Sequence, residues 1–271
     1  CNSQLALDQR LARLKHLGIR KTSIYLLPNL FTTGCLFAGF YAIIMAIDQE
    51  FEGAAIAIFV AAILDSLDGR VARLTNTTSD FGAHYDSLAD VVSFGVAPAV
   101  VGYLWLLKDL GKLGWFAVFL YVAATALRLA RFNILDPKTN KGFFYGLPCP
   151  AAAMLIATFI WTVIDFGDFD TIYFSGPLAL PQPWLIWILW FVFIFCGFCM
   201  VSLLPYYSFK DIKSRKSVSF AVLLIIAILI AVVSQDPSTI LFLMCLFYSF
   251  SGFVVYLLRS RKGSHIGVFE E

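Results

Sequence analysis

Charged residues are scarce in this sequence, at 14% of the 271 residues, and that scarcity excludes an ordinary soluble domain. Metal-binding and redox patterns built on histidine or cysteine are missing as well. The three histidines are scattered, and the CxxC pair Cys196 and Cys199 lies among Phe, Gly and Met in an apolar run. Zinc binding or thiol redox chemistry needs partners and access that this context lacks, so we interpret these cysteines as small hydrophobic residues.

Hydrophobic residues make up 60% of the chain and are grouped in runs close to the roughly 20 residues that cross a bilayer. Backbone groups in lipid must pair within their own segment, which favours helices. The runs also lack the alternation of barrel strands. The predicted fold is therefore all-α, a polytopic membrane protein with about eight transmembrane helices. These are residues 25–46, 54–71, 87–107, 113–129, 151–166, 184–203, 217–233 and 240–258.

The chain divides into three parts. Residues 1–24 form an N-terminal cytoplasmic or interfacial segment, residues 25–258 the membrane domain, and residues 259–271 a cytoplasmic tail. Leu7, Leu11 and Leu14 share one face of the first part, which predicts an interfacial amphipathic helix. A short exposed lead-in is the alternative.

Loop charge predicts the orientation of the helices. Basic residues recur in alternate loops, whereas the intervening loops are acidic or nearly uncharged. Positive loops face the cytoplasm, so both termini are predicted to be cytoplasmic. The basic loops can meet anionic lipid headgroups on that side.

Four aspartates lie close together in the sequence and near the predicted cytoplasmic ends of two spans. Asp65 and Asp68 are three residues apart, and Asp86 and Asp90 are four apart, so each pair shares a helix face. A helical hairpin would bring the pairs together. Four such carboxylates need either protonation or bound cations. Their hard oxygen atoms suit magnesium, manganese or calcium, and two ions would provide an arrangement used in phosphoryl displacement. An ordinary solvated loop is the alternative.

Small residues flank the acidic cluster. Gly69 and Ala72 leave a strip without large side chains beside Asp68, and Gly82 does the same one turn before Asp86. A nucleobase or ribose could lie against such a strip. Arg73 adds donors suited to a diphosphate. Together these residues indicate a nucleotide diphosphate rather than a bare ion.

This motif resembles the signature of the CDP-alcohol phosphotransferase family (class I). It reads Asp65-Ser-Leu-Asp68-Gly69-Arg-Val-Ala72-Arg73, followed by Gly82, Asp86 and Asp90 at intervals of nine, four and four residues. Segments around Pro28-Asn29-Leu30-Phe31-Thr32, Arg128-Leu-Ala-Arg131-Phe-Asn133 and Gly146-Leu-Pro-Cys-Pro-Ala151 are similar to the membrane-bound bacterial phosphatidylserine synthases of that family.

The resemblance implies roles for individual residues. Asp65, Asp68, Asp86 and Asp90 would hold Mg²⁺ or Mn²⁺, with two ions per site, and Asp90 would also be the general base. The donor would contact Asn29, Thr32, Gly69, Ala72, Arg73, Ser79 and Gly82. Arg128, Arg131 and Asn133 would bind serine or a donor phosphate. Simpler interpretations exist: Asn29 and Thr32 could cap a helix after Pro28, and the two arginines could be positive-inside anchors.

The same resemblance implies a reaction and a setting. CDP-diacylglycerol would donate its phosphatidyl group to the hydroxyl of L-serine, giving phosphatidylserine and CMP. The enzyme would be a homodimer in contact with membrane lipids in the bacterial cytoplasmic (inner) membrane, with the active site on the cytoplasmic side and no nucleic-acid partner. Two alternatives are the same chemistry with glycerol phosphate, an inositol phosphate or choline as acceptor, and an ion-coupled transporter that uses the aspartates as cation sites.

Overall fold

The computed structural model describes residues 29–75, 80–134, 143–166, 182–202, 204–207, 231 and 234–261. Helices dominate this part of the chain. They are α1 (Asn29–Ile47), α2 (Phe51–Thr75), α3 (Asp80–Asp90), a π-helical segment (Val91–Val96), α4 (Ala97–Trp105), a 3₁₀ turn (Leu107–Leu110), α5 (Lys112–Ile134), α6 (Cys149–Phe166), α7 (Gln182–Val201) and α8 (Pro237–Arg261). Two short strands, β1 (Phe143–Tyr145) and β2 (Pro205–Tyr207), pair in antiparallel fashion.

The predicted all-α membrane fold is confirmed. Within the described residues, six helical segments are long and apolar enough to cross a membrane: α1, α3 with α4, α5, α6, α7 and α8. The second predicted span coincides with α2, a continuous helix of 25 residues that also carries Asp65 and Asp68. The predicted span at 217–233, apart from residue 231, and the predicted amphipathic helix before residue 25 lie outside the described residues.

Small side chains bring the central helices close together. Buried alanines line α1, α2 and α6, and they include Ala42, Ala54, Ala61, Ala152 and Ala157. Small residues let helix backbones approach in a membrane, where apolar side chains gain little from leaving lipid. The helices α1 and α2 form an antiparallel hairpin, so the start of α1 lies beside the end of α2. We call this end of the bundle, with Thr32, Asp68 and Asp86, the aspartate end.

A π-helical segment interrupts the third span directly after Asp90. The N–H of Ala97 donates to the carbonyl of Val92, five residues earlier. The extra residue in this turn rotates all later side chains by about 100° relative to an unbroken α-helix. Neighbouring side chains complete the hydrogen bonding. Tyr121 Oη donates to the carbonyl of Phe94 at 2.7 Å, and Ser93 Oγ donates to that of Cys35 at 3.0 Å.

A loop before α6 is attached to the end of α7. The N–H of Gly146 donates to the carbonyl of Leu204 at 2.9 Å, and that of Leu147 to Cys199 at 3.0 Å. Gly146 has a φ of +83°, and an added Cβ would lie 2.4 Å from the carbonyl oxygen of Met200. Only glycine fits this turn without strain. The loop therefore fixes where α6 begins.

The last helix joins the same end of the bundle. Tyr206, in β2, is fully buried, and its hydroxyl donates to the carbonyl of Ser249 at 3.0 Å. Its ring lies where a side chain at Gly252 would be, with 2.5 Å between an added Cβ and the ring. The strand pair thus connects α8 to the beginning of α6.

The contact between α1 and the π-helical segment predicts a local sensitivity. An added Cβ at Gly39 would lie 2.5 Å from Ser93 Oγ and 2.6 Å from its Cα. We expect Gly39→Ala to lower the free energy of unfolding by about 1–3 kcal/mol, as overpacking of a core typically does. Thermal unfolding in detergent measures the change.

Gly53→Ala is the matched control, because its added Cβ would lie 3.5 Å from Met45, an ordinary contact. That variant should be as stable as the parent or slightly more so, since alanine favours helix. Equal melting temperatures for the two variants would contradict the close crossing of α1.

Candidate active site

The aspartate end gathers carboxyl groups from two helices that are separate in the sequence. Asp65 and Asp68 lie on α2, and Asp86 lies on α3. One carboxylate oxygen from each of these three residues lies within 4.8 Å of the others. The structure therefore brings the two predicted pairs into one cluster.

Thr32 connects α1 to this cluster. Its hydroxyl donates to Asp68 Oδ2 at 2.9 Å, and both side chains are buried. A threonine that only capped the helix would bond to the helix end instead. The hydrogen bond fixes one oxygen of Asp68, the most buried aspartate of the three that share the cluster.

Asp90 completes the cluster from the last turn of α3. It is 9% exposed and interacts electrostatically with Asp65, Asp68 and Asp86. Its Oδ1 atom is buried and has no hydrogen-bond partner within the described part of the chain. A buried acceptor without a donor is rare in proteins and commonly marks a functional group.

The donor set fits a divalent cation. Its carboxylates are hard oxygen ligands, and their mutual repulsion is relieved by a bound positive charge. The Asp90 oxygen without a hydrogen-bond partner among the described residues could serve as a further ligand or as a proton acceptor. Magnesium and manganese both accept such ligands.

The residues predicted to contact a nucleotide are placed as follows. Gly69 is exposed next to Asp68, and an added Cβ there would meet no atom of the described residues within 4 Å. Asn29 and Gly82 are half-buried at the starts of α1 and α3. Ala72 and Arg73 lie in α2, but their side chains, like the whole of Ser79, are outside the described residues. The open side of Gly69 leaves room for a flat group beside the carboxylates.

A hydroxyl pair that the sequence analysis missed links α1 to α3. Thr33 Oγ1 and Tyr85 Oη are 3.0 Å apart. Thr33 also donates to the carbonyl of Asn29 at 2.7 Å, so its single proton is used and Tyr85 is the donor in the pair. The position of these residues, next to Thr32 and Asp86, was the only signal in the sequence.

The three predicted acceptor residues differ in environment. Arg128 is half-buried, and its Nη1 donates to Cys149 Sγ at 3.3 Å. Asn133 is exposed and its Nδ2 donates to Ser87 Oγ at 3.1 Å, which ties the end of α5 to α3. Arg131 is exposed. The contact between Asn133 and Ser87 places the end of α5 beside the second half of α3.

Arg128 lies close to the level of Asp90. The third span, formed by α3 and the π-helical segment, is antiparallel to α5, with Asn133 opposite Ser87 and Thr125 opposite Gly95. This register puts residues near 130 opposite Asp90. Tyr248 on α8 interacts electrostatically with Arg128. Nothing in the sequence indicated that α8 would come near this arginine.

Comparison with known proteins agrees with this geometry. A sequence model of the CDP-alcohol phosphatidyltransferase family matches residues 25–195. A Helicobacter pylori protein named CDP-diacylglycerol–serine O-phosphatidyltransferase is 47% identical over 133 residues, which are 49% of this chain and 56% of the relative. A Mycobacterium leprae protein of the same name is 42% identical over 153 residues, 55% of this chain and 51% of the relative.

A third relative has a different name. It is the archaetidylserine synthase of Methanothermobacter thermautotrophicus, 39% identical over 143 residues, 52% of this chain and 60% of the relative. The chain thus spans about half the length of the curated relatives it matches. The family match covers the described residues from α1 into α7, including all four aspartates, and the chain belongs to the CDP-alcohol phosphatidyltransferase family.

Proposed function

We propose that this protein transfers the phosphatidyl group of CDP-diacylglycerol to the hydroxyl of L-serine, giving phosphatidylserine and CMP. The observation that carries the proposal is the meeting of three carboxylates within 4.8 Å, with Asp90 beside them. The names of the relatives support the acceptor, because both contain serine although the lipid differs.

Asp65, Asp68 and Asp86 would hold the divalent metal, with Asp90 as a further ligand. Two ions of Mg²⁺ or Mn²⁺ would supply positive charge to the diphosphate and to the departing CMP. The role of Thr32 is to hold Asp68 by its hydrogen bond. The open surface at Gly69 would receive the nucleotide, and the further proposed contacts are Asn29, Ala72, Arg73, Ser79 and Gly82.

Asp90 is the proposed general base. Its buried Oδ1 accepts the proton of the serine hydroxyl as the serine oxygen attacks the phosphorus bonded to diacylglycerol. The bond from that phosphorus to the CMP oxygen breaks, and the lipid keeps the phosphate. Because Oδ1 has no donor among the described residues, it is available to take this proton.

Arg128 is proposed to bind the carboxylate of serine. It is half-buried and close to the level of Asp90, so a serine held by its carboxylate could present its hydroxyl to the base. Arg131 and Asn133 lie at the exposed rim, where they would attract anionic groups of either substrate.

The chemistry of the donor suggests where the protein acts. The donor has its acyl chains in lipid and its nucleotide in water, so the aspartate end would lie at a membrane surface. The positive charge of alternate loops supports a cytoplasmic location for that surface, and the bacterial relatives support the bacterial inner membrane as its setting. We expect the enzyme to act there as a homodimer.

The acceptor can be tested directly. Purified protein with CDP-diacylglycerol and Mn²⁺ should release CMP when L-serine is added, and not with glycerol phosphate, inositol phosphate or choline. Release with one of those alcohols but not with serine would refute serine as the acceptor. Serine uptake into sealed liposomes without CDP-diacylglycerol would instead support a transporter.

The division of labour among the aspartates predicts different defects. Asp90→Asn should lower kcat by about 10²–10⁴-fold, the usual contribution of a general base, while much of the CDP-diacylglycerol binding remains. Asp68→Asn should weaken metal-dependent nucleotide binding itself. CMP release measures kcat, and calorimetric titration with CDP measures nucleotide binding in each variant. An equal loss of binding in the two variants would argue against a separate base.

The open side of Gly69 gives a third prediction. Gly69→Ala should leave the melting temperature unchanged or slightly raised, since the added Cβ has no atom within 4 Å in the part of the chain that the structure describes, and alanine favours helix. It should raise the KM for CDP-diacylglycerol severalfold, because the methyl group enters the nucleotide space. Gly53→Ala, on the same helix but far from the cluster, is the control and should leave this KM unchanged.

A further inference from the structure

Arg128 has an unusual hydrogen-bond partner. Its Nη1 donates to the thiol sulfur of Cys149 at 3.3 Å, whereas its Nε is buried and has no partner within the described residues. A guanidinium group carries five N–H donors, and a thiol sulfur is only a weak acceptor. The contact with Cys149 therefore orients this group more than it neutralises it.

The contact with Cys149 involves Nη1, and this determines which N–H donors of the Arg128 guanidinium are left for a ligand. Nη1 lies on the side of the group that faces away from the Nε–H bond, so Cys149 occupies one corner. Nε and Nη2 together form the opposite edge, a fork whose spacing matches the two oxygens of a carboxylate. A donor edge that contains a buried, unpartnered N–H is a suitable site for an anionic group.

Cys149 is itself held firmly. It is the first residue of α6 and is fully buried. The preceding loop is fixed by two hydrogen bonds, from Leu147 to Cys199 in α7 and from Gly146 to Leu204, the residue just before β2. The sulfur atom is thus a rigid acceptor, and it lies within electrostatic range of Asp90 and Asp65 as well as Arg128.

We propose that Cys149 is a positioning residue for the acceptor subsite. Its sulfur holds the Nη1 corner of Arg128 and so directs the Nε and Nη2 edge to the carboxylate of the acceptor amino acid. This inference rests on the proposed function and adds to it a residue that touches neither substrate nor metal. The contact between α5 and α6 would thus make the site specific for an acceptor that carries a carboxylate.

A positioning role for Cys149 and a role in packing are distinguished by which KM changes when the residue is substituted. Cys149→Ala should raise the KM for L-serine about three- to tenfold, the equivalent of one ordinary hydrogen bond, and leave the KM for CDP-diacylglycerol nearly unchanged. Cys149→Ser restores an acceptor atom and should return the KM for serine to within about twofold of the parent. Cys245→Ala, which removes another buried thiol on α8, is the control and should alter neither KM.

A double-mutant cycle keeps the inference testable if Cys149→Ala also lowers stability. Arg128→Lys keeps the charge but lacks Nη1, so Cys149→Ala should add no further rise in the KM for serine in that background. Additive effects, an unchanged KM for serine, or an equal rise in both KM values would overturn the proposal. Parent protein that releases no CMP with serine would instead refute the proposed function.

Discussion

Repulsion among four carboxyl groups is the constraint on which the rest of this structure depends. Asp65, Asp68, Asp86 and Asp90 converge at one end of an apolar bundle, where little water screens their charge. Such an arrangement is costly unless a cation or proton is shared among them. The helices must therefore hold the carboxyl groups close together against this repulsion, and the packing around the cluster helps them to do so.

The helix α1 provides most of this restraint. Thr32 bonds to Asp68 on α2, and Thr33 pairs with Tyr85 on α3, so two adjacent residues connect both acidic helices. Below them, Ser93 bonds to the carbonyl of Cys35 while Gly39 lets the two backbones touch. The π-helical turn adds rotation between the acidic face of α3 and the packed face of α4. The third span can then present its aspartates on one side while its other side packs against the core.

The sequence was sufficient to predict the convergence but not the contacts that maintain it. Spacings of three and four residues put each aspartate pair on one helix face, and long apolar runs determined the helices. A π-helical turn has the same composition as an α-helical one, so Val91–Val96 gave no signal. The contact of Arg128 with Cys149 depends on how α5 meets α6, and the turn at Gly146 depends on the end of α7. Contacts of this kind follow from tertiary packing, which periodicity does not encode.

A single metal-binding nucleotide site formed by the four aspartates can be tested by anomalous diffraction from crystals grown with Mn²⁺ and CDP. We expect an anomalous peak bounded by Asp65, Asp68 and Asp86, with the diphosphate next to it and the cytidine along the open side of Gly69. Manganese bound elsewhere, or a nucleotide that avoids this cluster, would show that the aspartates do not form such a site.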